Sequence, residues 1–219
     1  MANFHSELDH LVLVAATLES GVAFCEKALG VRMTKGGEHA RMGTHNFLLN
    51  LGDAIYLEVI AINPSGAAPE GARWFGMDHP EERSRAAVSP YLATFVARTS
   101  DIDAACTALP SLGAAREMQR DSLRWWITIP EESALLEGGA LPTVIQWPQG
   151  VHPTQAMPDS GCRLEQLEVW HPRPESVGAM WERIGLHGGD RLVLRRAGAD
   201  AGPCLRARIV TPEGTRIIG

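Results

Sequence analysis

The sequence predicts an α+β fold in which βαβββ units repeat to form an open, cup-like mixed β-sheet with helices on the outside. Three observations predict it. A strand, a helix cap, an amphipathic helix and a stop recur in that order three times along the chain. Further strand-like runs follow each helix. Segments rich in Pro, Gly and polar residues separate the units.

In the first unit, residues 8–14 are a mostly apolar strand, and Thr17-Leu18-Glu19-Ser20 opens a helix. Leu18, Val22, Cys25 and Leu29 fall at helical spacing, and Gly30 follows as the residue that ends it. Residues 44–51 and 54–62 then read as strands joined by Gly52-Asp53, a two-residue loop of the type II′ hairpin kind. The second unit repeats the order. Residues 91–97 are the strand, Thr99-Ser100-Asp101 the cap, and Ile102, Cys106 and Leu109 the helical stripe, with Pro110 as the stop. Residues 123–129 and 141–147 are its later strands. In the third unit, residues 164–170 lead through 172–175 into a stripe of Val177, Met180, Trp181 and Ile184, stopped by Gly185. Residues 192–195, 205–210 and 215–218 complete it. The expected organisation is therefore 1–62, a connecting loop or lid over 63–90, 91–147, a linker over 148–162, and a shorter third unit over 163–219.

Composition narrows the function classes. Hydrophobic residues make up 45% of the 219 residues, enough for a sizeable core. The net charge is -6 and no basic block occurs, so nucleic acid has no electrostatic footprint here. No apolar run approaches the roughly 18 residues that span a bilayer, and residues 1–7 lack the basic and apolar regions of a leader. Cys25, Cys106, Cys162 and Cys204 show no C-x-x-C spacing, which fits free thiols in a reducing compartment. The expectation is a cytoplasmic protein that takes a small-molecule ligand, with neither nucleic acid nor membrane as partner.

Chemistry concentrates in the first unit. A two-residue loop at Gly52-Asp53 pairs Leu51 with Ala54 and Phe47 with Glu58, placing His45, Tyr56, Glu58 and Ile60 on one face. Asn46, Leu48, Ile55, Leu57 and Val59 then form the opposite face, under the helix. A carboxylate inside Tyr56-Leu57-Glu58-Val59-Ile60 needs a cation, a metal or several donors once buried. His10, in the first strand, joins the group if that strand lies beside the Glu58 strand. His10, His45 and Glu58 would suit a divalent ion (zinc, manganese, nickel or iron) acting as a Lewis acid on an oxygen of the substrate. Each histidine equally fits a hydrogen-bonded structural role in its strand. Trp125 and Trp126 must point to opposite faces, one into the core and the other into the cup or an interface, and Trp74-Phe75 reads as a lid.

Leu8-Asp9-His10-Leu11-Val12-Leu13, Leu29-Gly30-Val31, Gly43-Thr44-His45-Asn46 and the run from Leu51 to Glu58 resemble the glyoxalase-like domain branch of the vicinal oxygen chelate superfamily. Trp74-Phe75-Gly76-Met77-Asp78, Ile145-Gln146-Trp147 and Gly161-Cys162-Arg163-Leu164 resemble the same branch. The resemblance implies a cup built from paired units. It also implies metal ligands on the first and fourth strands of each unit. Those positions carry His10 and Glu58 in the first unit, Leu92 and Gln146 in the second, and Gln166 and Ile218 in the third. Glutamine offers a ligand oxygen; Leu92 and Ile218 cannot ligate. Either His45 completes a site within one unit, or the cup binds an organic ligand without a metal. The resulting expectation has Glu58 catalytic, His10, His45 and Glu58 on the metal, and Tyr56, Trp74, Gln146 and Gln166 on the substrate. The superfamily spans lyases, isomerases, ring-cleaving dioxygenases and drug-sequestering proteins. The resemblance therefore implies an enzyme acting on a small oxygenated metabolite or, alternatively, a metal-free binding protein. The third unit would pack on the outside or complete a partner subunit in a homodimer.

Overall fold

The computed structural model describes residues 4–120, 123–198 and 200–219; positions 1–3, 121, 122 and 199 of the expected units lie outside the described residues. The first half runs β1 (Ser6–Val14), α1 (Leu18–Leu29), β2 (Thr34–His39), β3 (Thr44–Asn50) and β4 (Tyr56–Ile62). After α2 (Pro80–Val88), the second half repeats it as β5 (Tyr91–Thr99), α3 (Ile102–Ala108), β6 (Ala114–Arg120), β7 (Leu123–Ile129) and β8 (Thr143–Gln146). These strands form one eight-stranded sheet in the order β2-β3-β4-β1-β5-β8-β7-β6. Each half contributes the same sequence of neighbours, and the halves meet where β1 runs antiparallel to β5.

The local signals act as expected in the first unit. The Thr17 hydroxyl accepts from the Ser20 amide at 3.2 Å, and Gly30 closes α1 at φ 72°. Gly21 lets α1 lie tightly on the sheet, since a Cβ there would stand 2.5 Å from Val59 Cγ1. Three elements carry no periodic signal. Strand β2 reads Thr-Lys-Gly-Gly-Glu-His, and β6 reads Ala-Ala-Arg-Glu-Met-Gln-Arg. Both are edge strands made by pairing with β3 and β7 rather than by side-chain pattern. Helix α2, inside the expected loop over 63–90, starts on Pro80 and buries only Ala86.

The first hairpin departs from the expected register. Gly52, Asp53 and Ala54 all adopt positive φ, so the loop is three residues long and Leu51 faces Ile55. Leu48 therefore pairs with Glu58, and Phe47 pairs with Val59. The shift is one residue, and one residue exchanges the faces of β3.

The third segment forms β9 (Arg163–His171), α4 (Pro174–Arg183), β10 (Leu192–Arg196), β11 (Cys204–Thr211) and β12 (Gly214–Ile218). Its sheet runs β10-β9-β11-β12, with β10 parallel to β9. That order differs from the other two units, where a strand reached through a hairpin lies beside the first. The segment covers the convex face of its own chain's larger sheet. Leu167, Ala207 and Ile209 share a core with Phe95, Ala97, Leu11 and Leu57. The Trp181 ring meets Phe95 edge-on at 5.6 Å, and its Nε1 donates to the Ala140 carbonyl at 3.0 Å. A second core lines the concave face, with Val12, Ile60, Trp74, Trp125, Ile127 and Ile145. Among the described residues, no helix is long and apolar enough to cross a membrane.

Candidate functional site

The concave face holds a buried ionisable chain. In a regular strand Asp9 and His10 would point to opposite faces. The pairing of β1 with β5 shifts register between Leu8 and His10, and the Asp9 carboxylate reaches the neighbouring ring. Asp9 Oδ1 lies 2.6 Å from His10 Nδ1, and His10 Nε2 lies 3.5 Å from Glu58 Oε2. The imidazole thus stands between two carboxylates, with Tyr56 stacked on it at 4.4 Å and 16°. Glu58 is set in place by the observed register. Asn46, diagonal to it on β3, donates its side-chain amide to Glu58 Oε1 at 2.5 Å.

Partners from distant segments fix the chain further. Trp147 Nε1 donates to Asp9 Oδ2 at 3.0 Å, and His152 Nε2 lies 3.1 Å from the same oxygen. The Arg98 guanidinium stands 3.8 Å from Asp9 Oδ2, anchored on the Leu8 and Ala54 carbonyls. Burial alone pushes the His10 imidazole down, but its contacts to Asp9 and Glu58 outweigh this and hold it at about 9. Burial likewise works to raise both carboxylates. The bonds from His10 and His152 bring Asp9 to about 2, and those from His10 and Asn46 bring Glu58 to about 2. His39, across the cup, is dominated by burial and falls to about 4, so its ring is neutral near pH 7. Its Nδ1 lies 3.0 Å from Thr44 Oγ1, and it meets Trp74 edge-on.

The cavity above this chain is small, about 30 Å³, room for roughly two waters. The first half contributes His10, His39, Asn46, Tyr56 and Glu58. The second half lines it with Trp125, Ile127, Ile145 and Trp147, and with Arg120 at the end of β6. Arg120 reaches the opposite edge of the curled sheet, donating to Asn46 Oδ1 at 3.3 Å. Trp74 and Phe75 close the cup from the segment after β4, with Phe75 at φ 57°. That segment is tied down by Arg73 on Asp78 at 2.7 Å and by the Gly76 amide on the Ser133 carbonyl.

The expected site residues separate accordingly. His10, Glu58, Tyr56 and Trp74 line one cavity. His45 does not join them. The one-residue register shift turns it, with Phe47, to the face away from Glu58, where among the described residues its buried Nε2 has no partner. Gln146 lies outside the cup, and its side-chain oxygen accepts from the Ile102 amide at the start of α3 at 2.7 Å. Gln166 belongs to the smaller sheet and donates to the Asp190 carbonyl. Leu92 and Ile218 are packed in the convex-side core. Trp125 faces the cup while Trp126 is 38% exposed, as strand alternation requires. Sequence reasoning missed Asp9, His39, Asn46, Arg120 and His152. Only Asp9 left a signal, a second charge inside an apolar strand.

The donor set fits a tightly held divalent ion poorly. Of the expected ligands only His10 and Glu58 reach the cavity, and they face each other. The facing positions of the second half are apolar or aromatic, apart from Arg120, a cation that cannot ligate. Among the described residues no three His, Cys, Asp or Glu side chains are grouped to hold a metal.

A curled eight-stranded sheet made of two like halves, helices on its convex side and an ionisable chain in its hollow, is the cup of the vicinal oxygen chelate fold. The profile of the glyoxalase-like domain family matches residues 8–185, and the chain belongs to that family. A hypothetical protein from Staphylococcus aureus is similar at TM-score 0.64 and 16% identity, over 91% of this chain and 88% of its own. A 4-hydroxymandelate synthase mutant from Streptomyces coelicolor is similar at TM-score 0.51 and 13% identity, over 97% of this chain and 62% of that one. Methylmalonyl-CoA epimerase from Mycobacterium tuberculosis gives TM-score 0.39 and 23% identity, over 68% of this chain and 90% of that one. At these identities the likeness to the first two is one of fold alone. No curated protein sequence matches the chain.

Proposed function

We propose that the cup is the active site of an enzyme that moves a proton on a small oxygenated metabolite, with His10 and Glu58 as the acid–base pair. The observation that carries this reading is the His10 ring held between Asp9 and Glu58 at the base of an aromatic-walled cavity. A carboxylate and an imidazolium side by side suit removal of a proton next to a carbonyl. Glu58 takes the proton, the electron pair moves onto the carbonyl oxygen, and His10 Nε2–H donates to that oxygen. The contact with His10 lowers the basicity of Glu58. A substrate oxygen that takes over the His10 hydrogen bond releases Glu58 from that contact and raises its basicity where the base is needed. Asp9 keeps Nδ1 occupied, so that Nε2 is the nitrogen facing the reaction. No step is given to zinc, manganese, nickel or iron, because the expected ligands do not converge.

Deuterium wash-in tests the reading. The protein in D2O is presented with a panel of 2-oxo acids, aldehydes and ketones, and exchange at the carbon next to the carbonyl is followed by proton NMR. The expected result is exchange of at least one compound, reduced about 10²- to 10⁴-fold in Glu58→Gln. Equal rates for the two proteins across the panel defeat it. A second reading is a sequestering protein, favoured by the apolar wall of Trp125, Ile127, Ile145 and Trp147. It predicts binding that survives Glu58→Gln, without exchange in either protein.

A further inference from the structure

The cup holds two donors that the acid–base chain leaves unused. Trp74 is buried and lines the cavity, yet among the described residues its Nε1 has no acceptor. A buried indole N–H without a partner costs the fold free energy, and native structures rarely leave one without cause. Arg120 is the second. Its described partner is the Asn46 amide oxygen, which is neutral, and among the described residues no carboxylate stands within ion-pair distance. Its charge is felt across the hollow, where it acts on His39 and Tyr56. A guanidinium facing a low-dielectric, aromatic-walled space calls for an anion, and its fork matches a carboxylate. Asp9 and Glu58 do not supply that anion, because His10 already stands between them. The remaining walls are the flat rings of Trp74, Phe75, Trp125 and Trp147.

From these observations, and building on the acid–base reading of the same cup, we propose that the ligand is a small planar carboxylic acid. Its carboxylate is taken by Arg120 and the Trp74 indole N–H, and its remainder is short, because the cavity of about 30 Å³ has room for only a few heavy atoms between the aromatic walls. The carboxylate end is held away from Glu58 by charge repulsion, which leaves the neutral part of the molecule to face the His10–Glu58 pair.

Calorimetric titration with acetate and with its uncharged isostere acetamide tests this on the full-length protein. The expected result is that acetate binds and acetamide binds at least about 10-fold more weakly. Arg120→Met should then lower acetate affinity by about 10- to 100-fold, to the level of the amide. Trp74→Phe keeps the ring, removes the N–H and should lose a smaller factor for acetate alone. Equal binding of acid and amide, no binding of either, or unchanged acid binding by a folded Arg120→Met protein would each overturn the carboxylate subsite. The His10–Glu58 reading is judged separately by the deuterium exchange of neutral aldehydes and ketones, which needs no anion site.

Discussion

Asp9 Oδ1 stands 2.6 Å from His10 Nδ1, although the two residues are neighbours on one strand. The contact depends on the register shift between Leu8 and His10, and it buries a carboxylate to 0% exposure beneath the cup. Asp9→Asn keeps the shape and removes the charge. The His10 imidazole should then titrate well below its present value of about 9. Imidazole proton and nitrogen NMR across pH reads this directly; an unmoved His10 midpoint would show that Asp9 does not hold it. The substitution should also cost about 1–3 kcal/mol of stability, read by denaturant unfolding.

The same chain sets a pH window for stability. His10 is raised above its ordinary value of 6.5, so its contribution is fully present below about 6.5 and is lost as pH climbs through about 9. Asp9 and Glu58 are lowered to about 2, so theirs are present above the ordinary carboxylate range and are lost as pH falls through about 2. Denaturation midpoints should therefore be highest near pH 5–6 and decline on both sides. His10→Gln should flatten the alkaline decline. An alkaline decline identical in the two proteins would assign it to other groups.

Asn46 holds Glu58 with its side-chain N–H and accepts from the Gly37 amide at 2.9 Å. Asn46→Leu strands a buried carboxylate oxygen and should destabilise the fold by about 1–3 kcal/mol. It should also move the Glu58 midpoint upward from about 2, measurable by carboxyl carbon NMR. Asn46→Asp, which sets two carboxylates side by side, should raise that midpoint further.

Helix α1 presses on β4 at a position with no room for a methyl group. Gly21→Ala places a Cβ 2.5 Å from Val59 Cγ1 and 2.8 Å from Ala15 Cβ. The gain in helix propensity, about 1 kcal/mol, is outweighed by overpacking of about 1–3 kcal/mol. Thermal unfolding should show a lower Tm. A higher Tm would mean that α1 lifts from the sheet without penalty.

The third segment shares its core with the first two units, so it should unfold with them. Trp181→Ala removes a buried ring from Phe95 and a hydrogen bond from the Ala140 carbonyl. A loss of about 3–5 kcal/mol is expected, in one transition seen alike by fluorescence and circular dichroism. Two separate transitions would show that residues 163–219 fold independently.

Much of the fold was legible because its elements are written in periodicity and caps. The stripe from Leu18 to Leu29, ended by Gly30, specifies α1 without reference to anything distant. The candidate site was legible only in its charged core, His10 and Glu58. The rest depended on backbone detail that side-chain pattern does not encode. Ala54 at φ 55° is an unusual alanine, and nothing in its chemistry announces a three-residue loop. That single residue decides whether His45 or Asn46 faces Glu58. Arg120 and His152 arrive at the cup from an edge strand and a linker, where no periodic pattern marks them.

The bonds that reach Asp9 from Trp147 and His152 span 138 and 143 residues of chain. During synthesis Asp9 leaves the ribosome long before these partners, which follow only after both halves of the cup have been made. A nascent chain that stops short of Trp147 carries His10 beside a carboxylate whose second oxygen still lacks those donors. The ionisable chain therefore matures late, and its completion reports that the linker after β8 has been made and laid in place.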